Sequence, residues 1–195
     1  MKTKGEITRT KILDTARDLF KTKGFTATTI SDLVEATGMQ KGSLYFHFAG
    51  KDAIALEVLN EATEKFIKFL NKSLGGKNAG ESIDQYFCSV LDKHLAKGFV
   101  GGCLFGNTAL EMCDNDPVLA GAIDKVFDEW TLIVASTISR AQINRQIRAD
   151  INCETLARHI VATIEGGIMM SRLKKDGGPL KDCLDTLRTT LDLRV

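Results

Sequence analysis

The stretch Thr28–Lys51, TTISDLVEATGMQKGSLYFHFAGK, constrains this 195-residue chain more than any other. Thr29 and Asp32 form a T-x-x-D pattern, in which each side chain satisfies a backbone N–H that a helix start leaves without a partner. Ile30, Leu33 and Val34 then line one face. Gly38 ends the helix, because glycine takes the left-handed conformation at that position without strain. A second short helix begins at Gly42, with Leu44 and Phe48 on one side. Gln40, Lys41, Ser43 and His47 face elsewhere, and Tyr45 is amphipathic. Two short helices around a tight turn make the helix-turn-helix pattern, whose second helix lies in a DNA major groove. A cation, an amide, a hydroxyl, a phenol and an imidazole on that helix offer hydrogen bonds to base edges and phosphates. An ordinary helical hairpin with a solvated face fits the same spacing.

The residues themselves narrow the choice. Thr28-Thr29-Ile30, Gly38, Lys41-Gly42-Ser43-Leu44-Tyr45, His47-Phe48 and Lys51 resemble the signature of the TetR family of bacterial transcriptional regulators, over residues 7–60. The resemblance implies an N-terminal three-helix DNA-binding domain, here residues 1–50. It also implies a helical effector and dimerisation domain, here residues 51–195, with the dimer made by the last two long helices. The DNA-binding set is then Thr28, Thr29, Gln40, Lys41, Gly42, Ser43, Tyr45, His47 and Lys51. Gln40 departs from the family, which often has a small hydroxyl residue capping the recognition helix there, so Gln40 is assigned to a base. Lys51 opens the next helix, where a cation opposes the helix dipole and free N–H groups form an anion site. A DNA phosphate resolves that conflict, and the resemblance implies the same contact. Thr28 is assigned to a second phosphate.

Composition fits an all-α fold. The chain is 44% hydrophobic and 26% charged, which marks a globular protein, and no alternating β-branched run suggests a strand. The net charge of +1 hides an uneven distribution. Residues 1–51 carry a balance of +4 and the rest −3, so the basic excess sits with the helix-turn-helix, where attraction to phosphate needs it. The N-terminus, MKTKGEITRTK, has no apolar signal-peptide core, and no apolar run approaches the ~20 residues of a membrane span. Five cysteines without metal-like spacing point to reduced thiols, no metal and no cofactor. The expectation is a cytoplasmic protein with no membrane partner.

Apolar periodicity predicts helices over 7–22, from 51 to about 74, from 82 to 95, over 117–143 and 153–175, and from 179 onward, with 75–80 as a loop. The segment GCLFGNTALE, residues 102–111, is similar to a stretch in some TetR branches, LmrA-like efflux regulators among them. Gly166-Gly167 lies inside a helix, where each glycine costs ~1 kcal/mol against alanine unless another helix approaches closely. With the Leu180, Leu184, Leu187 and Leu191 stripe, this pair predicts a two-fold homodimer interface.

Phe87, Phe105, Trp130 and Met169, with Phe99, Met112, Phe127 and Met170, exceed what bracing the helices needs. Ligand pockets are mostly apolar with a few orienting polar groups, and His94, Asn107 and Glu165 are candidates for that role. No nucleophile–base pair, phosphate loop or paired-carboxylate motif suggests an enzyme; Ser43 and His47 lie on the DNA-reading helix. The reading is a dimeric repressor of a double-stranded palindromic operator, released by a small aromatic, hydrophobic or amphipathic effector. An activator of the same fold and a helical protein-binding adaptor are the alternatives.

Overall fold

The computed structural model describes residues 3–194, and among them every regular element is helical. The nine helices are α1 (Lys4–Thr22), α2 (Ile30–Thr37), α3 (Lys41–His47), α4 (Lys51–Leu74), α5 (Ala79–Leu95), α6 (Leu104–Met112), α7 (Pro117–Ile143), α8 (Cys153–Lys174) and α9 (Gly178–Leu191). The all-α reading holds. Two starts come earlier than apolar periodicity placed them, and both follow from capping. Thr3 and Glu6 form a capping box, so α1 opens at Lys4 rather than Ile7. The Asn78 side chain accepts the Glu81 N–H, so α5 opens at Ala79 and takes in Gly80, which the sequence placed in a loop. Asp116 and Pro117 start α7 as expected, the carboxylate accepting the N–H groups of Val118 and Leu119.

By contact the chain divides into two compact units. One holds residues up to Glu64 together with Leu104–Asp124; the other holds Lys65–Cys103 and residues from Lys125 onward. This cut does not fall at residue 50. The first part of α4, all of α6 and the start of α7 group with α1–α3. In this first unit Ile12, Leu13, Ala16, Leu33, Leu44, Ile54 and Val58 are fully buried. Arg9–Glu57 and Arg17–Glu61 ion pairs, both at 2.9 Å, join α1 to α4.

The second unit is organised around the α8–α9 pair. Leu180, Leu184, Leu187 and Leu191 are at most 1% exposed, packed in one core with Ile160, Ile164 and Ile168 of α8. A Cβ on Gly167 would sit 2.9 Å from Leu180 Cδ1 and 3.2 Å from Leu180 Cα, so glycine is what lets the two helices meet. The Leu180 N–H donates to Ser171 Oγ across the same seam. The helix that approaches Gly167 is therefore α9 of the same chain. The glycine and the leucine stripe close the monomer's core, and they are not available as the dimer surface the sequence assigned them to.

Gly166 has open space where a Cβ would be added. Gly166→Ala should raise stability by up to ~1 kcal/mol through helix propensity. Gly167→Ala should lower it by ~1–3 kcal/mol through overpacking against Leu180. Urea unfolding of the two variants beside the wild type checks both signs.

Candidate nucleic-acid interface and effector region

The reading pair is pinned by local chemistry. Thr29 Oγ1 accepts the Asp32 N–H at 3.1 Å, while Asp32 accepts the Thr29 N–H at 2.7 Å. Lys23 Nζ lies 2.6 Å from the same carboxylate. Lys23 first, and then the Thr29 bonds, hold the Asp32 carboxyl down at about 2. Gly38 ends α2 with φ of 67°, the left-handed position assigned to it. Gln40 precedes α3 and makes no side-chain capping bond, so its amide is exposed and uncommitted to the cap.

Leu44 and Phe48 of the reading pair face inward, 0% and 6% exposed. At roughly 100° per residue, the direction opposite Leu44 belongs to Gly42 and Phe46. Lys41 and Tyr45 flank that centre on one side, Ser43 and His47 on the other. The Lys41 ammonium lies 5.9 Å from the Tyr45 ring centroid, as this arrangement requires. Phe46 is 85% exposed and meets His47 edge-on. No heavy atom outside the helix lies within 4 Å of the Cβ position at Gly42, so the backbone there is open to close approach. Phe46 was missed in the sequence, although its place two residues from Leu44 put it at the middle of the outward face. Phenyl contact with a thymine methyl is one of the apolar readouts of the major groove.

The two residues assigned to phosphates are placed differently from the rest. Thr28 is 0% exposed, and its hydroxyl donates to the Gly24 carbonyl at 2.6 Å. It orders the turn before α2, which corrects its assignment as a phosphate contact. Lys51 Nζ donates to the carbonyls of Phe25 at 3.0 Å and Thr26 at 3.4 Å, and sits 4.3 Å from the Phe25 ring centroid. Two of its three N–H donors thus brace the α1–α2 turn.

The effector candidates fall into separate groups. Phe105 and Asn107 lie on α6 in the first unit. Phe87, His94, Trp130 and Glu165 lie in the second, where Phe87 and Trp130 are at most 2% exposed and His94 is 9% exposed. Met169 is 58% exposed on α8, because it falls off the buried stripe of Ile164, Gly167, Ile168 and Ser171. It does not join the interior set it was assigned to.

The second unit's interior is aromatic with polar groups embedded in it. The Trp130 Nε1–H donates to Tyr86 Oη at 2.9 Å, and Phe66 packs edge-on to Trp130 at 5.0 Å. Burial pushes the Tyr86 phenol well above its usual range, opposed in part by the Trp130 bond. At the rim of this interior the exposed Lys93 sets its ammonium 5.0 Å from the Phe69 ring centroid and 5.7 Å from that of Phe66, both rings half-buried. Desolvation of the ammonium against these rings lowers its pKa. Burial likewise raises the Glu165 carboxyl, against a hydrogen bond with Cys103, and Glu165 Oε1 is buried without a hydrogen-bond partner. Tyr86, Lys93 and Cys103 were passed over because each reads in sequence as stripe, surface or loop. Among the described residues no group of His, Cys, Asp and Glu is placed to hold a metal ion, and no helix is long and apolar enough to cross a membrane.

A short capped helix, a tight turn at Gly38 and a second short helix with a buried inward side and a polar outward side around Phe46 define a helix-turn-helix DNA-binding protein. Comparison with known proteins agrees. The family model described as bacterial regulatory proteins, tetR family, matches residues 12–58, and that of the tetracyclin repressor-like C-terminal domain matches residues 82–187. A TetR transcriptional regulator from Chloroflexus aurantiacus superposes with a TM-score of 0.88 at 32% identity, covering 98% of each chain. The HTH-type transcriptional regulator LmrA of Bacillus subtilis is 25% identical, over 88% of this chain and 90% of its own. The HTH-type transcriptional repressor DhaR of a Mycobacterium species is 23% identical, over 90% of this chain and 88% of its own. The chain belongs to the TetR family, and it is a DNA-binding transcriptional regulator.

Glu165 generates a stability prediction. Its carboxyl is raised from the usual 4.5, so the folded chain holds that proton more tightly than the unfolded chain. Stability therefore falls as pH rises from that ordinary value through the raised one. Glu165→Gln should melt at a higher temperature than wild type at pH 7, and the gap should close at a pH below the ordinary carboxylate range. Thermal unfolding at the two pH values checks it.

Proposed function

We propose that this regulator is a homodimeric repressor whose two α3 helices enter successive major grooves of a palindromic operator. The observation that carries the reading is the outward face of α3, where a large apolar ring stands exposed amid donors and acceptors while Leu44 is wholly buried. Gln40, Lys41, Ser43, Tyr45, Phe46 and His47 supply the readout, and Gly42 lets the backbone close on the duplex. Gln40 fits bidentate recognition of adenine, and Phe46 fits a thymine methyl. Thr29 lies at the α2 start, where helix N–H groups favour a phosphate. Lys51 keeps one N–H for a phosphate oxygen while bracing its turn. DhaR is named a repressor, which supports repression over activation.

The dimer forms through α8 and α9 by their outer faces. Met169, Met170 and Leu173 are 58%, 46% and 84% exposed on α8, an apolar patch that a monomer leaves in water. The effector is small, with aromatic or apolar parts, and it enters the Tyr86, Trp130 and Phe87 region, where Lys93, His94 and Glu165 orient it. Phe105 and Asn107 stay candidates from the first unit. Effector and operator then oppose each other by the same factor in both directions. The protein works beside the chromosome in the cytoplasm and carries out no chemistry of its own.

Gel shifts and anisotropy titrations on the DNA flanking the gene test the reading. Gln40→Ala should cost ~1–3 kcal/mol on the cognate site and relax preference at one base pair. Lys51→Ala should weaken every duplex and reduce the log–log salt slope by about 0.9, the share of one phosphate. A protein that binds the flanking DNA no better than unrelated duplex would end this proposal.

The dimer has its own test. Leu173→Glu places a charge in the α8 patch and should convert a sedimenting dimer to monomer at micromolar concentration. Unchanged sedimentation would move the interface elsewhere.

A further inference from the structure

Seven residues, Lys23–Thr29, join α1 to α2, and the backbone of Gly24–Thr28 among them is satisfied mostly by side chains from distant parts of the same unit. On one edge Glu111, near the end of α6, accepts the N–H of Phe25 through Oε2 at 2.9 Å and the N–H of Thr26 through Oε1 at 2.6 Å. On the other edge Lys51 donates to the carbonyls of the same two residues. The two peptides are thus held by a carboxylate and an ammonium together. Thr28 closes the turn from within, its hydroxyl donating to the Gly24 carbonyl and its N–H donating to that of Phe25. Gly24 is required twice over. Its φ is +89°, and a Cβ there would lie 3.1 and 3.2 Å from the two Glu111 oxygens. Thr26 Oγ1 adds a contact to the Met112 sulfur at 3.6 Å. Although burial alone would raise the Glu111 carboxyl, the Thr26 and Phe25 N–H groups and the Lys51 charge hold it below its usual value.

We propose that Glu111 is a positioning residue for operator recognition, holding the Phe25–Thr26 peptides so that α2 and α3 keep a fixed pose on α1. This rests on the DNA-binding reading and adds a residue of α6 that faces no base or phosphate. Base readout depends on donors and acceptors aligned to a few tenths of an ångström, whereas attraction to the phosphates tolerates loose geometry. Loss of the clamp therefore removes sequence discrimination and leaves general DNA affinity. The charge effect has the opposite sign, since removing a carboxylate on its own strengthens attraction to every duplex. Specific and non-specific binding thus separate a positioning role from a purely electrostatic one.

The experiment compares wild type with Glu111→Gln, which keeps the side chain's shape but can accept at only one atom. Two duplexes are titrated, one selected by the wild-type protein from a random pool and one scrambled from it. Amide exchange at Phe25 and Thr26 is followed by NMR in both proteins. The expected result is about a tenfold or greater loss on the selected duplex, the range for hydrogen bonds to a charged group, with the scrambled duplex within about twofold or bound more tightly. Exchange at the two amides accelerates. Glu111→Asp, one methylene too short to span both N–H groups, falls between wild type and Gln. Parallel shifts on both duplexes, or unchanged exchange at Phe25 and Thr26, overturn the proposal. A wild type that selects no duplex sinks the DNA-binding reading and this proposal with it, and is distinct from a discriminating wild type matched by its Gln variant.

Discussion

Helices of eight and seven residues do not hold together alone in water, since nucleation costs more than so few hydrogen bonds return. The reading head consists of two such helices, α2 and α3. Everything in the first unit follows from the need to pin them. The capping box of Thr29 and Asp32 satisfies the start of α2 within the segment itself. Leu33 and Leu44, both 0% exposed, anchor the pair by burial. Lys11 Nζ donates to the Thr37 carbonyl at 2.7 Å and ties the end of α2 to α1. The longer helices α1 and α4 are cross-linked by two ion pairs and form the frame on which the short ones rest.

The same requirement explains why the outward face of α3 is chemically unusual. Burial of Leu44 on one side forces Phe46 to the other, and nothing within the unit covers it. Around it stand only groups that hydrogen-bond in either direction or carry a single positive charge. The surface suits a duplex because it matches both the apolar and the polar parts of a base-pair edge.

In the second unit the α8–α9 seam does the work that capping does in the first. Close approach at Gly167 lets the Leu180–Leu191 stripe disappear into the interior. The core it completes includes groups that burial penalises: a phenol bonded to an indole and a carboxylate with one oxygen unsatisfied. Buried polar groups of this kind cost stability unless a partner meets them.

Much of this was legible in the chain itself. The Thr29–Asp32 box, Gly38, the Asp116-Pro117 start and the apolar stripes all depend on residues within four positions of one another, and short-range chemistry of that kind survives in a linear reading. The family resemblance rests on the same compact motif. Other features needed the folded molecule. The Thr28 hydroxyl goes to the Gly24 carbonyl rather than to a phosphate, and Met169 lies on the outer side of α8 rather than in the interior. A leucine stripe says that a helix has a buried side but not whether its cover comes from the same chain or another, so the α9 stripe was read as a dimer surface. Glu111 is the clearest case. It contacts backbone 85 and 86 residues away, through N–H groups that every residue but proline carries, so no side-chain pattern in the sequence marks the pair. Spacing along the chain determined most of the helices and which side of each is apolar; only tertiary structure decided which buried groups meet, because that depends on distances the linear order does not contain.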